Sequence, residues 1–368
     1  MSNLMTTTAA KIKPASFSVS GSELAAAVAP VAKVAGSMYG REGCVTLAFR
    51  DQRLAVQATD FESTAEIRIG VKGRKATTVS VNAANLVKFT KALSKQQVTI
   101  DITESAVSFT SADTDLQFTL PPVLDAAEIN FADEEDPCEI DPYSLVKTIG
   151  LTVPCVSRDD ARVILTGVLF HGGVAVATDS YKLMVVDDAP ILGTKVLIAG
   201  RSLKIVAAMF DGADEMTFDE KTTTFASPMR RITVRQIDGE FPNYRNLLPV
   251  ESQLTLGFVV NRKDFAERLR KVDLATSDGT PARLRVVDSA LTVSVNAQDI
   301  AASRGALDVD ADTDIPEIGF NPGYLAASMG SADSVQVRAR FVDGLKPFIV
   351  QPVDSGSWTF LQMPVRLA

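Results

Sequence analysis

Ala58-Thr59-Asp60 closes the strand-like run Leu54 to Gln57, and Ala177-Thr178-Asp179 closes a second such run, Val174 to Val176. A looser copy, Leu291 to Asp299 (Leu-Thr-Val-Ser-Val-Asn-Ala-Gln-Asp), brings an aspartate to the same place in a third. Successive copies lie about 120 residues apart, so the chain reads as one folding unit written three times. Over 368 residues this predicts three domains, 1–135, 136–251 and 252–368, each large enough for its own core. The acidic, proline-ended run Asp133-Glu134-Glu135-Asp136-Pro137 and the stretch Pro249 to Gln253 are the expected linkers.

Each unit orders its elements alike: a helix, a run of strands, a second helix, more strands. First helices are expected from Ser22, Pro142 and Arg262, second helices from Ala83, Arg201 and Pro322. Capping chemistry marks the starts. Ser20 with Glu23 makes a capping-box pair, Asp141 and Asn321 each precede a proline suited to the first helical position, and Asn82 and Asn261 serve as N-caps. The alternating runs Arg283 to Val295 and Ser334 to Val342 read as half-buried antiparallel strands. The fold class is α+β, with two helices per unit packed on one side of antiparallel sheets.

With 46% hydrophobic and 22% charged residues the chain looks globular, and Met1 to Ser16 lacks the apolar stretch of a signal peptide. No run reaches membrane-spanning length. Three cysteines, Cys44, Cys138 and Cys155, offer no disulfide framework and point to a reducing cytoplasm. The one histidine, His171, precedes Gly172-Gly173 in an expected hairpin turn with no partner at ligand spacing. Asp159-Asp160 and Asp187-Asp188, if in strands, point to opposite sides, which is wrong for a paired-carboxylate or two-metal site. No phosphate-binding loop, nucleophile elbow or metalloprotease helix occurs. The chain is therefore expected to catalyse nothing and to need no cofactor or metal.

A net charge of −8 argues against nucleic acid as a partner until the cations are placed. Leu86, Phe89 and Leu93 share one helix face while Lys88, Lys91 and Lys95 share another; Phe265, Leu269 and Val272 leave Arg268, Arg270 and Lys271 outside their stripe. Lys147, Arg201 and Lys204 mark the helices of the middle unit. If these helices share a surface, it is a cationic lining for a phosphate backbone read without regard to sequence.

Ala-Thr-Asp-Ser-Tyr-Lys-Leu (177–183), Asp-Gly-Glu-Phe-Pro-Asn-Tyr-Arg-Asn-Leu-Leu-Pro (238–249), Glu-Ile-Gly-Phe-Asn-Pro-Gly-Tyr (317–324), Gly-Leu-Lys-Pro (344–347) and Met-Pro-Val-Arg-Leu (363–367) together resemble the bacterial sliding clamp, the β subunit of DNA polymerase III. The likeness runs through the whole chain, although the first third matches mainly in layout. It implies a head-to-tail homodimer closing a ring, strands outside and helices lining a hole for double-stranded DNA, located in the cytoplasm at the replisome. The implied partners are the replicative DNA polymerase, a clamp-loader ATPase and other proteins carrying a clamp-binding motif, with no membrane.

The resemblance also implies a groove for partner peptides, walled by Leu165, Thr178, Ser180, Tyr181, Lys182, Leu183, Pro242, Leu247, Leu361, Met363, Pro364, Val365 and Arg366. Ser180 and Tyr181 stand where Gly-His is usual, Asn246 replaces a common arginine and Gln362 a common aliphatic residue, so peptide preference is expected to differ. Asp159 replaces a DNA-contacting glutamine, leaving Arg158 or Arg162 to substitute. Phe89, Leu93, Phe118 and Leu120 of the first unit and Leu274 of the third are the implied apolar part of the dimer contact. The acid cluster expected near 299–304 reads Asp-Ile-Ala-Ala-Ser-Arg, which predicts fewer ion pairs across that junction and less sensitivity to salt. Other readings are a specialised clamp paralogue serving a phage or conferring drug resistance, a structural repeat protein whose lysines face outward, and an enzyme using Asp159, Asp160 or the acidic linker.

Overall fold

A computed structural model describes residues 12–36, 43–73, 75–111, 113–131, 133–193, 195–276, 280–297, 300–301, 306–311, 313–354 and 356–367. The helices α1 (Gly21–Val31), α2 (Ala83–Ala92), α3 (Pro142–Thr152), α4 (Gly200–Phe210), α5 (Arg262–Asp273) and α6 (Pro322–Met329) fall two to each repeat, with strands between and after them. The chain folds α+β, as three repeats of this plan.

Helix formation follows apolar spacing. Leu24, Ala27, Val28 and Val31 of α1 are buried, as are Phe265, Ala266, Leu269 and Val272 of α5, each set one stripe of a 3.6-residue period. Asn82 accepts the Asn85 N–H, Asn261 those of Lys263 and Asp264, and Asn321 those of Gly323 and Tyr324, satisfying donors that no helical carbonyl reaches. The expected capping box of α1 does not form: the Ser20 hydroxyl pairs with that of Ser22 at 2.8 Å instead.

The repeated Ala-Thr-Asp encodes one turn. In the second repeat the Thr178 hydroxyl donates to the Lys182 carbonyl and accepts the Ser180 N–H, while Asp179 Oδ1 accepts the N–H groups of Tyr181 and Lys182. In the first, Thr59 does the same with Ser63 and Phe61, and Asp60 Oδ1 with Glu62 and Ser63. Each turn forces its third residue into the left-handed region, Ser180 at φ 81° and Phe61 at φ 66°. Threonine and aspartate supply the short side-chain acceptors that compensate such a bend. Asp299, the third copy, lies outside the described residues.

The sheets cross the repeat boundaries. One of eight strands runs 77–82, 44–50, 53–59, 63–70, then 230–234, 224–227, 217–219, 138–139, so the middle repeat completes a sheet begun by the first. One of nine runs 196–199, 167–171, 174–178, 182–186, then 358–362, 348–352, 336–341, 256–261, 310–311, joining the middle repeat to the third in the same way. The joining pairs are antiparallel and equivalent: Ile67↔Arg230 to Ser63↔Val234, and Val186↔Trp358 to Lys182↔Gln362. Two further sheets remain, 15–20, 97–102, 107–111, 116–120 from the first repeat and 300–301, 290–297, 282–287, 315–320 from the third, where 306–308 also pairs with 290–297. The compact units are accordingly not the repeats: one comprises Met1–Pro142 and Ile205–Arg235, the other Tyr143–Lys204 and Gln236–Ala368.

The expected linkers are packed. Buried Asp219 accepts the N–H groups of Glu135 and Asp136 at 2.5 and 2.9 Å, and Lys221 reaches Glu135 at 3.3 Å, so the acid run is pinned to its sheet. Glu251 pairs with Arg340 at 2.7 Å, and Leu254 joins a core with Leu183, Tyr244 and Leu361. The acid pairs sit in loops, not strands, which corrects the premise that they alternate across a sheet. Asp159 accepts the Ala161 N–H and binds Arg162 at 3.2 Å, while Asp187 and Asp188 follow the end of 182–186. Among the described residues no helix is long and apolar enough to cross a membrane.

Candidate functional site

The expected groove residues divide into a buried and an exposed set. Leu183 and Leu361, opposite each other in register, are buried at 1% and 3% exposure, and Thr178 at 4% is spent on its turn. Tyr181 (60%), Leu247 (49%), Met363 (42%), Val365 (39%) and Pro242 are exposed. The Met363 N–H donates to the Tyr181 carbonyl and the Val365 N–H to the Gly319 carbonyl, both at 2.8 Å. A Cβ at Gly319 would lie 2.2 Å from the Val365 oxygen, so only glycine lets the tail 363–366 lie that close. Pro364 is half-buried and Arg366 exposed along it. Leu165 is half-buried, its carbonyl accepting the Ser157 N–H, and Leu248, not Leu247, packs on the core.

Lys182 is not an exposed cation. At 6% exposure its ammonium is salt-bridged to Asp179 and stands 4.0 Å over the ring of Tyr324. It helps floor an open cavity of about 720 Å³ whose lining includes Arg158, Arg162, Tyr181, Tyr324 and Val365. Arg158 and Arg162, expected to contact DNA, thus belong to this cavity. Arg162 also donates to the Asp179 carbonyl and the Ser180 hydroxyl, both at 3.3 Å. Tyr324 and Asn321, whose carbonyl accepts from Gln362 Nε2 at 2.8 Å, belong to the motif 317–324 and to the start of a helix, and neither role by itself signals a place beside Lys182 and Gln362. The spacing of Asp159 and Arg162 was a signal available for their ion pair.

His171 ends strand 167–171 at the expected turn and meets the Tyr244 hydroxyl at 3.2 Å. Burial, then Arg245 and Lys195, lower its pKa. The Cys155 thiol, fully buried, is pushed up to about 12, which leaves it unreactive.

Of the helix cations, Lys88, Lys91, Arg201, Lys204 and Lys271 are exposed and Arg268 half-buried. Lys147 is held by Asp333 at 2.6 Å, and Lys271 by Glu267 at 2.6 Å in an exposed pair of little energetic weight. Of the expected dimer residues, Leu93 and Leu120 lie within the core of the first unit. Phe89 and Phe118 stack at 4.4 Å, both half-buried, and Leu274 is 88% exposed.

The family pattern described as DNA polymerase III beta subunit, N-terminal domain, matches residues 15–133, and that of the C-terminal domain matches 245–366. A beta sliding clamp of Streptococcus pneumoniae is 30% identical over 245 residues, covering 62% of this chain and 64% of that protein. One of Vibrio cholerae is 23% identical over 359 residues, covering 92% and 97%. The solved DNA polymerase III beta subunit of Thermotoga maritima superposes with a TM-score of 0.80 at 20% identity, over 96% of this chain and all of that one. The DNA polymerase sliding clamp of Bacillus subtilis gives 0.79 at 20%, over 97% and 100%. With both terminal domain patterns in place, relatives of one name and a fold shared end to end, the chain belongs to the bacterial sliding clamps, the β subunits of DNA polymerase III.

Proposed function

We propose that the protein is a non-catalytic processivity factor: a homodimeric ring that encircles duplex DNA, is placed there by a clamp-loader ATPase, and tethers the replicative polymerase and other partners through the groove around Tyr181 and Met363. Its three domains are 1–135, 136–251 and 252–368. The observation that carries the ring is the strand pairing between repeats. At two junctions a four-stranded half-sheet of one repeat joins the half-sheet closing the next. What is left over is one half of each kind, ending on Leu116–Leu120 in the first repeat and on the strands beside Ala290–Ala297 in the third. Leu116–Leu120 pairs on one side only among the described strands. Joining these halves as the other two are joined takes a second copy, head to tail, and buries the edges that a monomer exposes.

The basic helix faces suit a phosphate backbone read without regard to sequence, and a closed ring holds DNA by topology with weak contacts. A clamp of altered peptide preference is the second reading, favoured by Ser180 at φ 81°, exposed Tyr181 and the buried amide of Gln362. Mass measurement and electron microscopy of the purified protein test the first reading. Rings of twice the chain mass support it, and crescents of a single chain at micromolar concentration sink the homodimer.

A further inference from the structure

One surface of the first repeat is strongly basic, and none of its cations lies on a helix. Arg50 and Arg53 face each other across the turn of the hairpin 44–59. Arg53 pairs in register with Gly70, and the Val71 N–H donates to the Gln52 carbonyl at 2.9 Å, which brings Lys72 alongside. Lys72 bridges Ser18, and Thr77, opposite Phe49, donates to the Lys13 carbonyl, which brings in Lys13 and Lys75. All five side chains are exposed, that of Arg50 at 85%. Among the described residues, Asp51 lies 3.7 Å from Arg50, and Asp101 stands at the margin, opposite Ser16. In a chain of net charge −8 this concentration is local and suits a polyanion.

We propose that Lys13, Arg50, Arg53, Lys72 and Lys75 form a second, sequence-blind contact for duplex DNA, separate from the basic helix faces. Two arginines at a hairpin tip present planar forks matched to phosphate oxygens. Proteins that hold single strands add aromatic platforms for the bases. Here the aromatic residues underneath, Phe17 and Phe49, are stacked on each other at 3.6 Å and buried at 3% and 2%, so only phosphate contacts are on offer. The surface lies at the opposite end of strand Arg53–Thr59 from the Asp60 turn, the first repeat's counterpart of the turn carrying Tyr181. DNA held here leaves that end free. The proposal rests on the clamp reading only for the identity of the polyanion.

The test compares the protein with R50E/R53E/K72E by fluorescence anisotropy on a short labelled duplex and on a single strand of equal length, across a salt series. Three lost phosphate contacts lower the slope of log K against log salt by about three, so the advantage of the unaltered protein shrinks roughly 40-fold between about 50 and 200 mM salt. Unchanged duplex affinity and slope overturn the proposal, as does a loss confined to the single strand. A loss of polyglutamate binding with duplex binding intact reassigns the surface to an acidic protein and also overturns it. Circular dichroism controls for folding. Ring formation by the same variant, read by mass and microscopy, is independent of the result, so failure of the clamp reading and failure of this surface are distinguishable.

Discussion

Replacing Lys182 by methionine isolates the energetics of its buried ion pair. Methionine keeps most of the apolar stem but deletes the ammonium and with it the cation-π contact to Tyr324, so Asp179 Oδ2 loses its partner while Oδ1 keeps the N–H groups of Tyr181 and Lys182. The paired side chains are 7% and 12% exposed, and breaking a buried pair from one side costs about 3–5 kcal/mol. The two surviving hydrogen bonds place this case near the low end, about 3 kcal/mol. Adding Asp179→Asn removes the stranded charge and restores roughly 2 kcal/mol of that loss, a coupling typical of contacting groups. Trp358, the one tryptophan, is buried and lies opposite Val186 on the strand paired with Lys182–Val186, so its fluorescence during urea unfolding reports this unit. A single variant within about 0.5 kcal/mol of the unaltered protein, or a double variant no more stable than the single, would show that the ammonium is solvated and the reasoning wrong.

Leu274→Asp should halve the solution mass, since a charge placed without a partner at an apolar junction is costly; a dimer persisting in light scattering places the interface elsewhere. Met363→Ala with Pro364→Ala should abolish binding of a partner peptide in calorimetry and leave the oligomer intact, and unchanged affinity removes the groove assignment. At Asp219 burial raises the carboxyl pKa, but the N–H groups of Asp136, Thr222, Glu135 and Lys221 outweigh it and hold the group below the usual range. A depressed folded pKa contributes stability above the unfolded value, and this is lost as pH falls through the folded one. Asp219→Asn should therefore lower the melting temperature most at neutral pH, with the gap closing below about pH 4; a gap independent of pH refutes the assignment.

Much of the fold was legible because local chemistry wrote it. The Ala-Thr-Asp that closes a strand, the asparagine caps at 82, 261 and 321 and the apolar stripe of α5 are properties of neighbouring residues, and they appear where spacing put them. Ser20 shows the limit: its hydroxyl had two acceptable partners and took Ser22. What the sequence could not disclose was non-local. That strand 63–70 continues into 230–234, or that Lys182 turns inward to Asp179 and Tyr324, depends on elements far along the chain. In the candidate site Tyr181, Leu247, Met363 and Val365, named from sequence, are exposed, whereas Leu183 and Leu361 are core packing that no motif distinguishes.

The sheets that pass between repeats also fix the order in which the chain can become stable. As it emerges from the ribosome, Ser63–Gly70 stays a bare edge until Arg230–Val234 has been made, and Lys182–Val186 waits in turn for Trp358–Gln362. Nascent protein therefore cannot settle repeat by repeat, as strings of independent domains do. It carries one unmated strand or the other through most of synthesis, each a template for misassociation, and removing residues 358–362 would strip the strand on which half of the second unit is built.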